Sequence, residues 1–335
     1  MNDSFNIFEI LSKDDKELSH SSVIKFLIEE EDGFFLEKLF GQKDEKFSAD
    51  LEVSLDRKNR IDILLKSDKK VIAIENKFKC LPNVWQLESY SSVLKDKYAE
   101  KKLEKFLIYF NKGSDFNLPD DWNTISYSEL YDLIIIYLRD KEDLHIEKKV
   151  LIDHYAASLK KYIDKYNQLK NINLDILKDI FQPLQNNKFW LLLMFHELAF
   201  LFDTDKFKTW VGSGYSYSPF INIHPPEWKH KVGDESHEFV IQLNGNNLKY
   251  YVHLDKVKEK QELVNQQIQL LQDGNFKTST SGKFKGKIST KRNKTCFIYQ
   301  EDILDVLSKS EKKVTLANIH LAIYDLIKRV NNALP

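Results

Sequence analysis

Three short runs rich in β-branched residues follow one another almost without pause: ADLEVSLD (residues 49–56), RIDILLK (60–66) and KVIAIENKF (70–78). The turn-forming stretches DRKN and KSDK part them, so they read as three consecutive strands in a meander. Alternate strand residues share a face, which puts Glu75 and Lys77 on one side of the third strand and Ile72, Ile74 and Phe78 on the other. On the second strand Ile61, Ile63 and Leu65 form an apolar face, while Asp62 interrupts the opposite one where burial is costly without a partner. Adjacent strands would bring Asp62 beside Glu75.

The flanking segments extend this unit. Apolar residues recur at helical spacing over residues 4–12 and 19–40. LPN (81–83) breaks the third strand, Asn83 is a suitable N-cap, and 85–98 has helical periodicity. KFLIYFN (105–111) and WNTISY (122–127) read as a fourth and fifth strand, and 128–166 returns to a helical pattern through Leu130, Leu133, Ile134 and Tyr137. The order α-βββ-α-β-β-α describes an α/β sandwich around a mixed central sheet flanked by helices.

At 335 residues with 42% apolar content the chain is long enough for two cores. The pattern changes after about residue 166, which predicts domains over 1–166 and 167–335. The second reads as α+β: helices over 174–181 and 188–202, a hairpin of HEFVIQL and KYYVHLD around NGNN, a helix over 256–272, a strand near 296–299 and a helix over 315–330.

Two carboxylates converging on one point make a hard oxygen site suited to Mg²⁺, with Mn²⁺ as a substitute. A lysine beside them, such as Lys77, can orient a water or favour its hydroxide, so phosphodiester hydrolysis would need no nucleophilic side chain. Taken alone, an Asp and an E-x-K thirteen residues apart (75 minus 62) also occur on ordinary surface hairpins. Acidic and basic residues nearly cancel, 51 against 50, so any nucleic-acid contact must be local. The start MNDSFNIFEILSKDDKE lacks the features of a leader, and no apolar run approaches membrane-spanning length, which predicts a soluble cytoplasmic protein without membrane attachment. Cys80 and Cys296 lie far apart and support neither a disulfide framework nor a thiolate zinc site.

RID (60–62), IENK (74–77) and QLESY (86–90), preceded by ELSHS (17–21), resemble the PD-(D/E)XK nuclease superfamily, in particular its bacterial branch with an N-terminal E-x-x-H-S helix motif. The resemblance covers roughly residues 1–166. It implies a restriction-endonuclease-like core and a metal held by Asp62, Glu75 and the backbone carbonyl of Asn76. Lys77 would act on the attacking water, and Gln86 on the following helix would steady the site, with Tyr90 on the same helical face. Glu17 looks like the extra acidic residue many such nucleases add, with Glu52 as a competing candidate. His20, three residues on, would approach the metal or the scissile phosphate, or else serve as a structural histidine. Ile61 stands where the superfamily's name has proline.

The activity so implied is Mg²⁺-dependent cleavage of DNA by a bacterial defence or restriction-type endonuclease. A homodimer would explain a double-strand cut, and the second domain would recognise substrate, dimerise or regulate. The alternatives are a non-catalytic nucleic-acid-binding or scaffold module on the same fold, and a nuclease for RNA or branched DNA. In the second domain, FKTSTSGKFKGKISTKRNK (276–294) offers Lys283, Lys285, Lys287, Lys291 and Arg292 to a phosphate backbone, or is a solvated turn region. HPPEWKH (224–230), HELAF (196–200) and VGSGYS (211–216) lack the partners a zinc site or a P-loop needs.

Overall fold

The computed structural model describes residues 5–30, 33–43, 45–78, 82–110, 118–170, 172, 174–181, 187–202, 207–213, 219–225, 228, 238–253, 261–285, 295–309 and 315–334. The chain divides into two compact units, Met1–Asn167 and Gln168–Pro335.

The first unit opens with α1 (Ile7–Ile10), α2 (Glu17–Ile28) and α3 (Phe34–Phe40). Gly33 and Gly41 bracket α3 at φ of 65° and 64°, a conformation that costs glycine nothing. The meander follows as β1 (Ser48–Ser54), β2 (Arg60–Lys66) and β3 (Lys70–Lys77), then α4 (Val84–Lys97), β4 (Lys102–Tyr109), β5 (Asn123–Ser126), α5 (Tyr127–Asp140) and α6 (Ile146–Lys170). Asn83 does cap α4, its side chain accepting from the Gln86 amide. Ser126 and Glu129 form a capping box that turns β5 directly into α5. The sheet order is β1-β2-β3-β4-β5, antiparallel through β3 and parallel from β3 to β5.

Central β3 is buried from Val71 to Asn76, as expected of a strand covered on both faces. One face packs Val71 and Ala73 against Leu87, Tyr90 and Leu94 of α4. The other places Phe78 among His20, Phe110, Tyr127 and Tyr162. The architecture is mixed α/β and restriction-endonuclease-like, as the sequence implies. One detail differs: the helical stretch read over 128–166 is two helices, interrupted at residues 141–145.

The second unit contains α7 (Leu174–Phe181), α8 (Asn187–Phe200), β6 (Lys208–Ser213), β7 (Pro219–His224), β8 (Glu238–Asn244), β9 (Asn247–His253), α9 (Gln261–Asp273), β10 (Lys283–Phe284), β11 (Thr295–Asp302), α10 (Ile303–Ser308) and α11 (Leu316–Ala333). Its antiparallel sheet runs β10-β11-β9-β8-β7-β6. The expected hairpin is β8 and β9, closed at Asn244↔Asn247 with Gly245 at φ 53°. Strands β6 and β7 were not read in the sequence: β6 ends in the glycine-containing stretch weighed only as a P-loop match, and β7 is a short run buried along nearly its whole length. Among the described residues no helix is long and apolar enough to cross a membrane.

Candidate active site

The β2–β3 ladder runs from Lys66↔Val71 to Ile63↔Ile74. One step further along the same register sets Asp62 opposite Glu75, at the end of the face that packs on α4. The Asn76 amide donates to Asp62 Oδ2 at 2.7 Å, so one carboxylate is fixed by the backbone beside the other. Lys77 Nζ sits 2.5 Å from Glu75 Oε1, with both side chains largely buried. The side chain of Asn76 turns away into the core. Its amide donates to the Glu17 carbonyl at 3.2 Å and to Ser21 Oγ at 2.9 Å, and its oxygen accepts from the Tyr127 hydroxyl. That network fastens the first turn of α2 to β3 and carries Glu17 to the site.

Glu17, Asp62, Glu75, Lys77, Gln86 and Tyr90 all line one cleft of about 470 Å³. On α4, Gln86 Nε2 donates to the Tyr90 hydroxyl at 2.6 Å, and that hydroxyl donates to the Arg60 carbonyl at 2.7 Å, bracing the wall against β2. Of the two extra acids, Glu17 lines the cleft whereas Glu52 is tied to Arg60, Oε2 to Nε at 2.9 Å, from a backbone held at φ 53°.

The electrostatics favour an added positive charge. Burial pushes the Asp62 carboxyl up to about 6, against the Asn76 amide and Lys77, which pull it down. Burial and then the negative charge of Asp62 push Glu75 up to about 8. Burial works against the charge on Lys77, but Glu75 outweighs it and holds the ammonium above its ordinary range. Glu75 Oε2 and Glu17 Oε1 are buried with no hydrogen-bond partner. Orphaned carboxylate oxygens of this kind are costly unless a donor or cation meets them. Among the described residues no three Asp, Glu, His or Cys side chains form a ready ligand cluster. Mg²⁺ requires only one or two carboxylates and fills its octahedron with water and substrate, so the donor set fits an open hard-cation site rather than a closed cage.

His20 does not reach the cleft wall. It is 1% exposed, stacked on Phe78 at 3.4 Å between ring centroids. Its Nε2 lies 3.0 Å from the Asp14 carbonyl, which can only accept, so Nε2 carries the proton and Nδ1 accepts from Tyr155 at 3.1 Å. Core packing thus holds His20 as the structural alternative describes, away from the cleft lining. His20→Ala is expected to cost about 2–4 kcal/mol in urea denaturation, from the lost ring and its hydrogen bonds. Cleavage per folded molecule should change less than about threefold; a hundredfold loss in folded protein would return His20 to the chemistry.

Lys283 and Lys285 are exposed around β10 in the second unit. Lys287, Lys291 and Arg292 lie outside the described residues. The β1–β2 turn, legible in the sequence only as a separator of strands, also brings Asp56, Arg57, Lys58, Asn59 and Arg60 to the cleft lining. Its signal was a basic pair inside a turn that joins β1 to the strand carrying Asp62.

The model of the PD-(D/E)XK nuclease superfamily matches residues 5–154. This span holds the whole five-stranded sheet and every cleft residue named above. The resemblance read in the sequence is thus shown over it, and it implies nuclease activity on a nucleic acid. No curated protein and no solved structure matches the chain.

Proposed function

We propose that the first unit is a divalent-metal-dependent nuclease that hydrolyses DNA phosphodiester bonds at the cleft of Asp62, Glu75 and Lys77. The observation that carries this reading is the convergence of the three side chains on one wall, with one carboxylate fixed by a backbone amide and two buried carboxylate oxygens lacking donors. Asp62, Glu75, Glu17 and the Asn76 carbonyl would hold Mg²⁺ or Mn²⁺, which supplies Lewis-acid stabilisation of the charge that builds on the phosphate. The Asn76 amide keeps Asp62 oriented. Lys77 keeps a cation at the base of the cleft, where it can steer the attacking water and meet developing negative charge. Gln86 and Tyr90 hold the α4 wall in register with β2. A cut through both strands is easiest to explain with two such centres, which a homodimer would bring together, and the second unit would then recognise substrate, dimerise or regulate. By analogy with such nucleases, the activity would serve a restriction-type defence role.

The raised carboxyl pKa values set a pH test. Protonated Asp62 and Glu75 contribute stability that is fully present below their unfolded values near 4 and is lost as pH rises through about 6 and about 8. Without divalent metal the melting temperature should therefore fall between about pH 5 and pH 8. Mg²⁺ should restore it at pH 8 and do little at pH 5, because protons and cation compete for the same oxygens. An equal Mg²⁺ effect at both pH values would contradict this site.

The substrate is tested by incubating the protein with supercoiled plasmid, linear duplex, single-stranded DNA and RNA, in Mg²⁺, Mn²⁺ or EDTA. Metal-dependent cleavage of DNA is the expected result. Cutting of RNA alone would change the substrate class, and binding without cutting would favour a scaffold module.

A further inference from the structure

Trp85 is 81% exposed, the most exposed large apolar side chain among the described residues. Such an indole in water is normally buried or used. The other exposed tryptophan, Trp210 at 58%, packs edge-on against Phe220, whereas among the described residues no ring lies against Trp85.

Its place can be read from α4. Gln86 and Tyr90 face the cleft, and Ser89, one turn along from Trp85 on the same helical side, hydrogen-bonds Asn59 Oδ1 at 3.2 Å. Trp85 therefore stands at the rim where α4 meets the β1–β2 turn. That turn is built rigidly. Asp56 Oδ1 accepts from the Lys58 and Asn59 amides, both at 2.7 Å, and Oδ2 accepts from Asn59 Nδ2 at 2.7 Å. The result presents Arg57 and Lys58 to solvent on the cleft lining, and among the described residues neither makes an ion pair.

We propose that Trp85, Arg57 and Lys58 form a binding edge for a single-stranded stretch of polynucleotide leading into the cleft. The indole stacks on an unpaired base, and the two cations hold neighbouring phosphates. A paired base inside a duplex offers no free π-face, so this edge selects for strands that are open, frayed or distorted near the bond to be cut. The inference rests on the nuclease reading and names the form of its substrate.

The test measures binding by fluorescence anisotropy in EDTA, so that no cutting intervenes, with labelled single-stranded and duplex DNA and single-stranded RNA. Trp85→Ala should weaken single-strand binding about 10- to 100-fold and duplex binding less than about twofold, and Trp85→Phe should recover much of the loss. The double variant Arg57→Gln, Lys58→Gln should weaken every strand and flatten the single-strand salt dependence by about 1.4 in slope, while removing Lys43 and Lys46 from a separate cavity should not. The DNA and RNA arms decide which backbone the edge accepts. Equal losses on single strand and duplex, or no loss with Trp85→Ala, would overturn this inference while leaving metal-dependent cleavage intact. A wild-type protein that neither binds nor cuts any strand would remove the nuclease reading as well.

Discussion

Asp62→Asn is expected to reduce cleavage by about 10³-fold or more and, in the same molecule, to make the metal-free protein more stable at pH 8. The first effect follows from removing one of two adjacent carboxylates, Glu75 buried and Asp62 half-buried, that would hold the cation. The second follows from what burial has done to that carboxyl. Its pKa of about 6 lies above the unfolded value, so at pH 8 the folded state carries an ionised group that it would rather keep protonated. Asparagine imitates the protonated form, keeps an oxygen for the Asn76 amide, and takes away the negative charge that lifts Glu75. A gain on the order of 1–2 kcal/mol at pH 8 should shrink towards zero near pH 4, where wild-type Asp62 is itself neutral. Urea titrations at the two pH values, with single-turnover cleavage alongside, would show whether activity and stability move in opposite directions. A variant that loses both has merely lost structure.

Lys77→Met is the second large effect and separates the cation of the side chain from the cation that the carboxylates would hold. Methionine keeps much of the buried aliphatic volume and removes the ammonium that sits on Glu75 Oε1. Cleavage should fall about 10²- to 10⁴-fold, the range for losing a positioned proton-transfer or charge-stabilising group. Mg²⁺ should bind at least as tightly as in the wild type, because Glu75 no longer divides its charge with a lysine. Calorimetric titration of metal into both proteins distinguishes this from a collapsed site, in which affinity and rate would fall together.

The chemistry was legible where it depended on strand parity. Glu75 and Lys77 must share a face of β3, and Asp62 needs only the next strand in a meander to reach them. Asn83 announced its helix because capping is local, whereas Ser126, which caps α5, was read as part of the fifth strand. The long-range decisions were not legible. Nothing within ELSHS says which side of α2 will pack on β3, so His20 reads as available although it lies against Phe78, hydrogen-bonded between Asp14 and Tyr155. The same docking through Asn76, Ser21 and Tyr127 carries Glu17 into the cleft, while Glu52, whose backbone is held at positive φ, is tied to Arg60. Arg57 and Lys58 looked like ordinary turn residues until the fold set their turn against α4. Trp85 opened a helical run whose stripe passes through Leu87, Tyr90, Val93 and Leu94, and the structure leaves its indole outside that packing.

The central claim is that Asp62, Glu75 and Lys77 make a metal-dependent cutting site, and cleavage of nucleic acid by wild-type and Lys77→Met protein at equal folded concentration tests it most directly. The substrates would be supercoiled plasmid and a single-stranded oligonucleotide, with Mg²⁺ or EDTA. Cutting by the wild type should require Mg²⁺ and fall at least about a hundredfold in the variant. Equal rates in the two proteins, or wild-type cutting that persists in EDTA, would contradict it.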